Sequence, residues 1–156
     1  MLRKHHLCGV FAAIFLAIAV TPDALGASRT STQADFLGAV NATRAAHGLR
    51  PLRLDAGLVR AARAHTLDML HGGYFAHGDF YARMAAFHLR GTLGENLAWG
   101  SGSYGRAQAI VQLWLASPEH RANLLRPSFH RIGFGIARGT FQGAAAATVV
   151  TADFGS

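Results

Sequence analysis

Thr148-Val149-Val150-Thr151-Ala152 is an unbroken run of β-branched and small apolar residues. Side chains of that kind fit the pleated, half-buried surface of a sheet better than a helix. The period-two pattern extends the strand over Ala146 to Phe154, and Arg131 to Arg138 upstream has the same character. Gly139 and Gly143 lie between the two segments, so they read as strands joined by a turn. Everything before Pro127 has a different rhythm. The sheet is therefore a late feature of the chain, and helices precede it.

The helical part can be followed segment by segment. From Gln33 to Ala46, Phe36, Leu37 and Val40 recur at helical spacing, with His47 in the last turn and Gly48 as the stop. Pro51-Leu52-Arg53-Leu54 is a short extended approach to a second helix, which Asp55 is suited to cap. Leu58, Ala62, His65 and Met69 form one stripe of it before Gly72-Gly73, and His65 reads as a core histidine. Phe75 to Phe80 reads as loop and Tyr81 to His88 as a short helix. A third main helix covers Tyr104 to Ala116, with Ala107, Ile110, Val111 and Trp114 on one face. Ser117-Pro118-Glu119 has the form of a fresh helix start. Helices first and strands last, without alternation, predict an α+β domain whose antiparallel sheet is packed by helices.

At 156 residues the chain has the length of one domain. Arg3 and Lys4 precede an apolar run from Leu7 to Val20, and Thr21-Pro22-Asp23 and Ala24-Leu25-Gly26 follow. That is the layout of a secretory signal peptide over residues 1–26, with a run too short to span a bilayer comfortably; a retained N-terminal anchor is the alternative. Residues 27–33 then form a linker and 34–156 the domain. The expectation is a secreted or periplasmic monomer with no transmembrane segment once the signal is removed. Cys8, the sole cysteine, lies in that leader, so the mature domain would have no disulfide, thiolate metal site or cysteine nucleophile. Fifteen Lys and Arg against eight Asp and Glu make the chain strongly basic. Export points such a surface toward anionic lipid or cell-wall polymer rather than nucleic acid, although scattered arginines also fit plain compositional bias.

Two motifs fail on context. Gly100-Ser101-Gly102-Ser103-Tyr104-Gly105 matches a dinucleotide fingerprint, but no parallel strand or ribose-binding acid follows. Asp153-Phe154-Gly155 copies a kinase tripeptide in a chain without the other kinase elements. No Gly-x-Ser-x-Gly elbow is present, and no His-Glu-x-x-His helix.

Glutamate occurs at Glu95 and Glu119 alone. Gly94-Glu95-Asn96-Leu97-Ala98 stands between Phe75-Ala76-His77-Gly78 and Ser117-Pro118-Glu119-His120-Arg121-Ala122-Asn123. Two histidines and a carboxylate suffice as protein ligands for an open zinc-type site, and without metal they could do acid–base work. The spacing does not by itself prove that the three converge.

The ordered set of phrases goes further. Asn41-Ala42-Thr43-Arg44, Gly48-Leu49-Arg50-Pro51-Leu52, Phe75-Ala76-His77, Gly94-Glu95-Asn96-Leu97, Trp114 to Leu125 and Ile132-Gly133-Phe134-Gly135 occur in sequence. Together they resemble the bacterial branch of the CAP superfamily, or SCP domain, of cysteine-rich secretory, antigen 5 and pathogenesis-related 1 proteins. The resemblance implies an α-β-α sandwich with a small antiparallel sheet between helical layers and a central cleft. It places His77 and His120 at the two cleft histidines, which can hold a divalent ion, most often zinc, and Glu95 at the first cleft glutamate. The second glutamate has no clean counterpart: Ser117 stands at its place, and Glu119 nearby serves equally well as a helix-start residue. Asn96, Arg121 and Asn123 belong to the phrases and read as capping or loop-holding residues; Asp79 reads as a turn residue after Gly78, with a role as a further ligand as the alternative. The implied function is an exported binding module for a small or lipid-like ligand or a cell-envelope component. A metal-assisted hydrolase with Glu95 as proton acceptor is an alternative, and a secreted protein–protein interaction domain with a vestigial cleft is another.

Overall fold

A computed structural model describes residues 31–156; the leader reading of residues 1–26 and most of the linker lie outside that range. The first helix, α1 (Gln33–Ala46), already includes the last residue assigned to the linker. It starts on a reciprocal cap in which the Thr32 hydroxyl accepts from the Asp35 amide and the Asp35 carboxylate accepts from the Thr32 amide. The chain continues through β1 (Arg53–Leu54), α2 (Ala56–Gly72), α3 (Phe80–Ala86), β2 (Leu93–Gly100), a 3₁₀ turn (Gly102–Gly105), α4 (Ala107–Ala116), α5 (Pro118–Leu124), β3 (Arg131–Phe141) and β4 (Ala144–Gly155). Asp55 caps α2 through the Leu58 amide, and Gly73 ends it in the left-handed region that favours glycine. Asp79, expected as a turn residue, caps α3 through the Ala82 amide. Ser117 begins α5 through its backbone; its hydroxyl makes no cap bond.

The four strands lie in the order β1-β3-β4-β2. β3 pairs antiparallel with β4 and β4 antiparallel with β2, whereas β1 runs parallel to β3. The sheet is thus mixed rather than wholly antiparallel. The reason is local: the chain enters α2 from a two-residue strand that borrows the His130 and Ile132 carbonyls before Asp55 turns it into the helix.

Period-two alternation separates the two faces. Ile132, Phe134, Val150, Ala152 and Phe154 point to one side and pack with Phe36 and Val40 of α1 and with Ile110, Val111 and Trp114 of α4. Leu97, Ala147 and Val149 point to the other and meet Met69 of α2. Helices therefore cover both faces, and the domain is an α+β sandwich of three layers. α2 lies almost on the backbone of β3. A Cβ on Gly133 would stand 2.2 Å from the Leu58 carbonyl carbon, and one on Gly135 2.2 Å from the Ala62 oxygen. Only glycine permits that approach.

α1 is fastened from its C-terminal end. The fully buried Arg44 guanidinium donates to the carbonyls of Arg50, Leu124, Arg126 and Phe129. Those carbonyls include the free end of α5, where the helix dipole is negative. Arg44 thus ties the first helix to the segment that returns the chain to the sheet.

Candidate functional site

β2 is an edge strand, so Glu95 and Leu97 turn backbone groups away from the sheet. Helical side chains take up two of these. Trp114 Nε1 donates to the Leu97 oxygen at 2.9 Å, and Asn123 Nδ2 to the Glu95 oxygen at 3.1 Å. Asn123 also donates to Asn96 Oδ1, and Asn96 Nδ2 donates to the His120 carbonyl at 2.9 Å. Asn96 and Asn123 thus clamp α5 onto the free edge of the sheet. Asn96 was expected to hold a loop; it sits in a strand and holds a helix.

Glu95 points to the α2 face. One carboxylate oxygen accepts from His77 Nδ1 at 2.7 Å, and the other forms an ion pair with Arg83 of α3. The Glu95 side chain is 2 % exposed and that of His77 54 %, so the carboxylate sits behind the imidazole and the imidazole faces solvent. Arg83 closes the arrangement by donating to the His77 carbonyl at 3.1 Å. The Glu95 bond raises the His77 pKa against the effects of burial and of Arg83. His77 and Glu95 are therefore in direct contact, eighteen residues apart in sequence.

His120 is not bonded to either. It lines an adjoining hollow of about 300 Å³ with Phe75, Leu97, Trp99, Leu113 and Ser117. Its pKa is lowered, first by burial and then by the positive field of His77, so the two imidazoles sense each other. Glu119 is exposed in the first turn of α5, where its charge raises the pKa of both histidines from a distance. It makes no hydrogen bond or ion pair with them. Trp114 is a core residue, as expected.

Asp153 lies directly opposite Glu95 on β4 and is fully buried. Neither of its oxygens receives a hydrogen bond from an N–H or O–H group. Burial, and then the neighbouring Glu95 charge, push its pKa well above the usual carboxylate range. Two carboxyl groups can bond to each other only through a proton, so the pair is satisfied when Asp153 is the protonated partner. His65 fills the space behind: 4 % exposed, with Nε2 3.0 Å from the Ala76 oxygen and its pKa lowered by burial and then by Arg83. Sequence reading missed Arg83 and Asp153. For Asp153 a signal existed, an acid at an inward position of the strongest strand.

The donor set does not make a three-ligand metal centre. Both Glu95 oxygens are engaged, and among the described residues no three His, Cys, Asp or Glu side chains are grouped to hold an ion.

Comparison with known proteins identifies the family. The sequence profile of the Cysteine-rich secretory protein family, the CAP domain, matches residues 37–154. The chain belongs to this family. The CAP domain here is 38 % identical over 101 residues to the uncharacterized protein YkwD of Bacillus subtilis (strain 168), an alignment over 61 % of this chain and 38 % of that protein. It is 30 % identical over 93 residues to pathogenesis-related protein 1C of Nicotiana tabacum, over 60 % of this chain and 49 % of the relative. An extracellular protein containing an SCP domain from Bacillus anthracis str. Ames superposes with a TM-score of 0.65 at 27 % identity, over 76 % of this chain and 38 % of that one. In each of these three the CAP domain of this chain matches less than half of the relative's length. An outer surface protein from Borrelia burgdorferi shares the fold, with a TM-score of 0.62 at 20 % identity over 81 % of this chain and 96 % of that one. No described helix of this CAP domain is long and apolar enough to cross a membrane.

Proposed function

We propose that this CAP domain is an exported binding module whose hollow beside β2 takes a small amphipathic ligand. The lining of that hollow is the observation that carries the reading. Phe75, Leu97, Trp99 and Leu113 supply an apolar wall, Phe75 and Leu113 are 42 % and 51 % exposed, and His120 is the one ionisable group among them. Such a site favours an apolar body with a single hydrogen-bonding or acidic head directed at the imidazoles. The extracellular setting of the Bacillus anthracis relative agrees with the leader-like N-terminus.

A hydrolase in which Glu95 takes the proton has less support. That carboxylate is buried and fully engaged, so His77 is the group through which the pair would act on anything in solvent. A divalent ion, zinc first, belongs to the proposal only as a partner of the two imidazoles, and no chemistry is routed through it. Zinc content equal in the wild-type protein and in His77→Ala/His120→Ala would remove the ion from the reading.

The chain's two tryptophans make the ligand test direct. Trp99 and Trp114 both line the hollow, so a change in emission on adding ligand reports its filling. Titration with oleate should give a saturable change, and Leu113→Glu should weaken it at least about tenfold by placing a charge in the apolar wall. No saturable change with oleate, or a response indifferent to Leu113→Glu, would sink the amphipathic-ligand reading.

A further inference from the structure

The two edges of the sheet differ in charge. Acids stand at the β2 edge, with Glu95 on the strand, Asp153 opposite it and Glu119 within the field of His77. At the opposite edge, the segment around β1 forms a groove of about 560 Å³ lined by Arg50, Pro51, Arg53, Leu54, His130 and Arg131. No acid is among those lining residues. The nearest, Asp55, is committed to Arg131 through a 3.0 Å ion pair, and the rest of the Arg131 fork holds the Ser156 carbonyl. Arg50, Arg53 and His130 are exposed, and among the described residues their side chains have no hydrogen bond or ion pair. The backbone beneath them is held: Arg44 binds the Arg50 carbonyl, and the Arg53 amide donates to the His130 carbonyl at 3.0 Å. Two free guanidinium groups and an imidazole thus stand on an anchored frame.

We infer that the groove formed by Arg50, Arg53 and His130 is a binding site for a phosphate-bearing anion, separate from the cleft at β2. Guanidinium forks match the paired oxygens of a phosphate, and three unneutralised donors in one concavity lower the cost of holding its charge. Pro51 and Leu54, the latter 45 % exposed, give an apolar strip for whatever carries the phosphate. The groove exceeds the size of a lone phosphate, and the phosphate can belong to a lipid headgroup or to a free solute. Binding at β1 would leave the β2 cleft accessible, because the two lie on opposite edges of one sheet.

The test uses the full chain after export, with inorganic phosphate as the free probe and vesicles of phosphatidylglycerol against phosphatidylcholine as the displayed one. Arg50→Gln/Arg53→Gln removes two exposed charges, and Arg63→Gln/Arg106→Gln removes the same charge from other exposed positions as the control. At about fivefold per basic side chain near an anionic surface, the groove variant should bind phosphatidylglycerol vesicles about 25-fold more weakly and the control less than about threefold. Phosphate should perturb the NMR signals of Arg50, Arg53 and His130 if the source is free. Vesicle binding without a phosphate response assigns the groove to a headgroup; a phosphate response without vesicle binding assigns it to a solute. Binding of neither probe, or equal losses in the groove and control variants, overturns the inference.

Discussion

Arg83→Met is the perturbation that asks most of the site. The substitution leaves an uncharged side chain of similar length and removes the guanidinium, which neutralises Glu95 and lies over the Phe80 ring. The stranded Glu95 carboxylate is 2 % exposed and faces Asp153, which is fully buried, so water cannot replace the lost charge. Breaking a buried pair in this way costs about 3–5 kcal/mol, and the 12 % exposure left to Arg83 puts the expected loss near the lower end, about 3 kcal/mol. Glu95→Gln strands the other partner at smaller cost, about 2 kcal/mol, because Arg83 keeps its bond to the His77 carbonyl and its place against the Phe80 ring. The double variant strands neither charge. Its loss should fall short of the sum by about 2 kcal/mol.

Urea denaturation measures those energies, and an NMR titration of the His77 imidazole supplies a second, independent readout. Arg83 lowers the His77 pKa and Glu95 raises it, so Arg83→Met should move it up and Glu95→Gln should move it down. A general loosening of the fold would not send the two in opposite directions. Additive losses in the double variant, or shifts of the same sign, would show that Glu95 does not bridge the two cations.

Gly135→Ala places a Cβ 2.2 Å from the Ala62 oxygen and 2.4 Å from Thr66 Oγ1, so α2 must retreat by more than 1 Å; a loss of about 3 kcal/mol is expected by urea denaturation, and a loss within the error of the measurement would refute the close contact. Asp153→Asn tests the buried acid through pH. Its raised native pKa means that the folded protein holds a proton the unfolded chain releases near 3.8, so wild-type stability contributed by this group falls as pH rises from there through the native value. The variant's advantage over wild type should therefore be near zero at pH 3.5 and grow toward neutral pH; a constant difference would mean that Asp153 is ionised in the fold. His77 has the opposite relation to its surroundings from His65 and His120: its stabilising contribution is full below 6.5 and lost as pH rises through its raised native value, whereas theirs is present above 6.5 and lost as pH falls through their lowered ones. Stability curves of His77→Gln and His120→Gln should accordingly diverge on opposite sides of pH 6.5.

Much of this was legible in the residues. Helices α1 and α2 announce themselves through apolar spacing, through Asp55 and through the stops at Gly48 and Gly73. The strand at Thr148 follows from its β-branched run. β1 was not readable as a parallel partner because two residues carry no period, and its pairing is decided by a segment more than seventy positions later. The same limit hid Arg83. Among so many arginines nothing local distinguishes the one that meets Glu95; only the docking of a short helix against β2 selects it. Asp153 was hidden differently, by a tripeptide whose likeness to an unrelated motif was correctly refused. The sounder signal was thermodynamic: an acid on the inward register of a central strand must find either a cation or a proton.

Sharing one carboxylate between two cations also sets what the cleft can offer a ligand. Glu95 holds a proton on His77 to higher pH, while burial and that same positive charge keep His120 neutral to lower pH. Between those two limits the pair carries one proton, and its location is not arbitrary. His77 is the group that keeps its proton at the rim, and His120 is the imidazole held neutral beside the apolar hollow. An acidic head would be drawn to His77 and a hydroxyl would donate to His120, with the ligand's apolar part against Trp99 and Leu113. A ligand whose head carries no charge gains less from this division of charge. For that reason methyl oleate should bind more weakly than oleate in the tryptophan-emission titration, and equal affinity for the two would leave the imidazoles without a part in recognition.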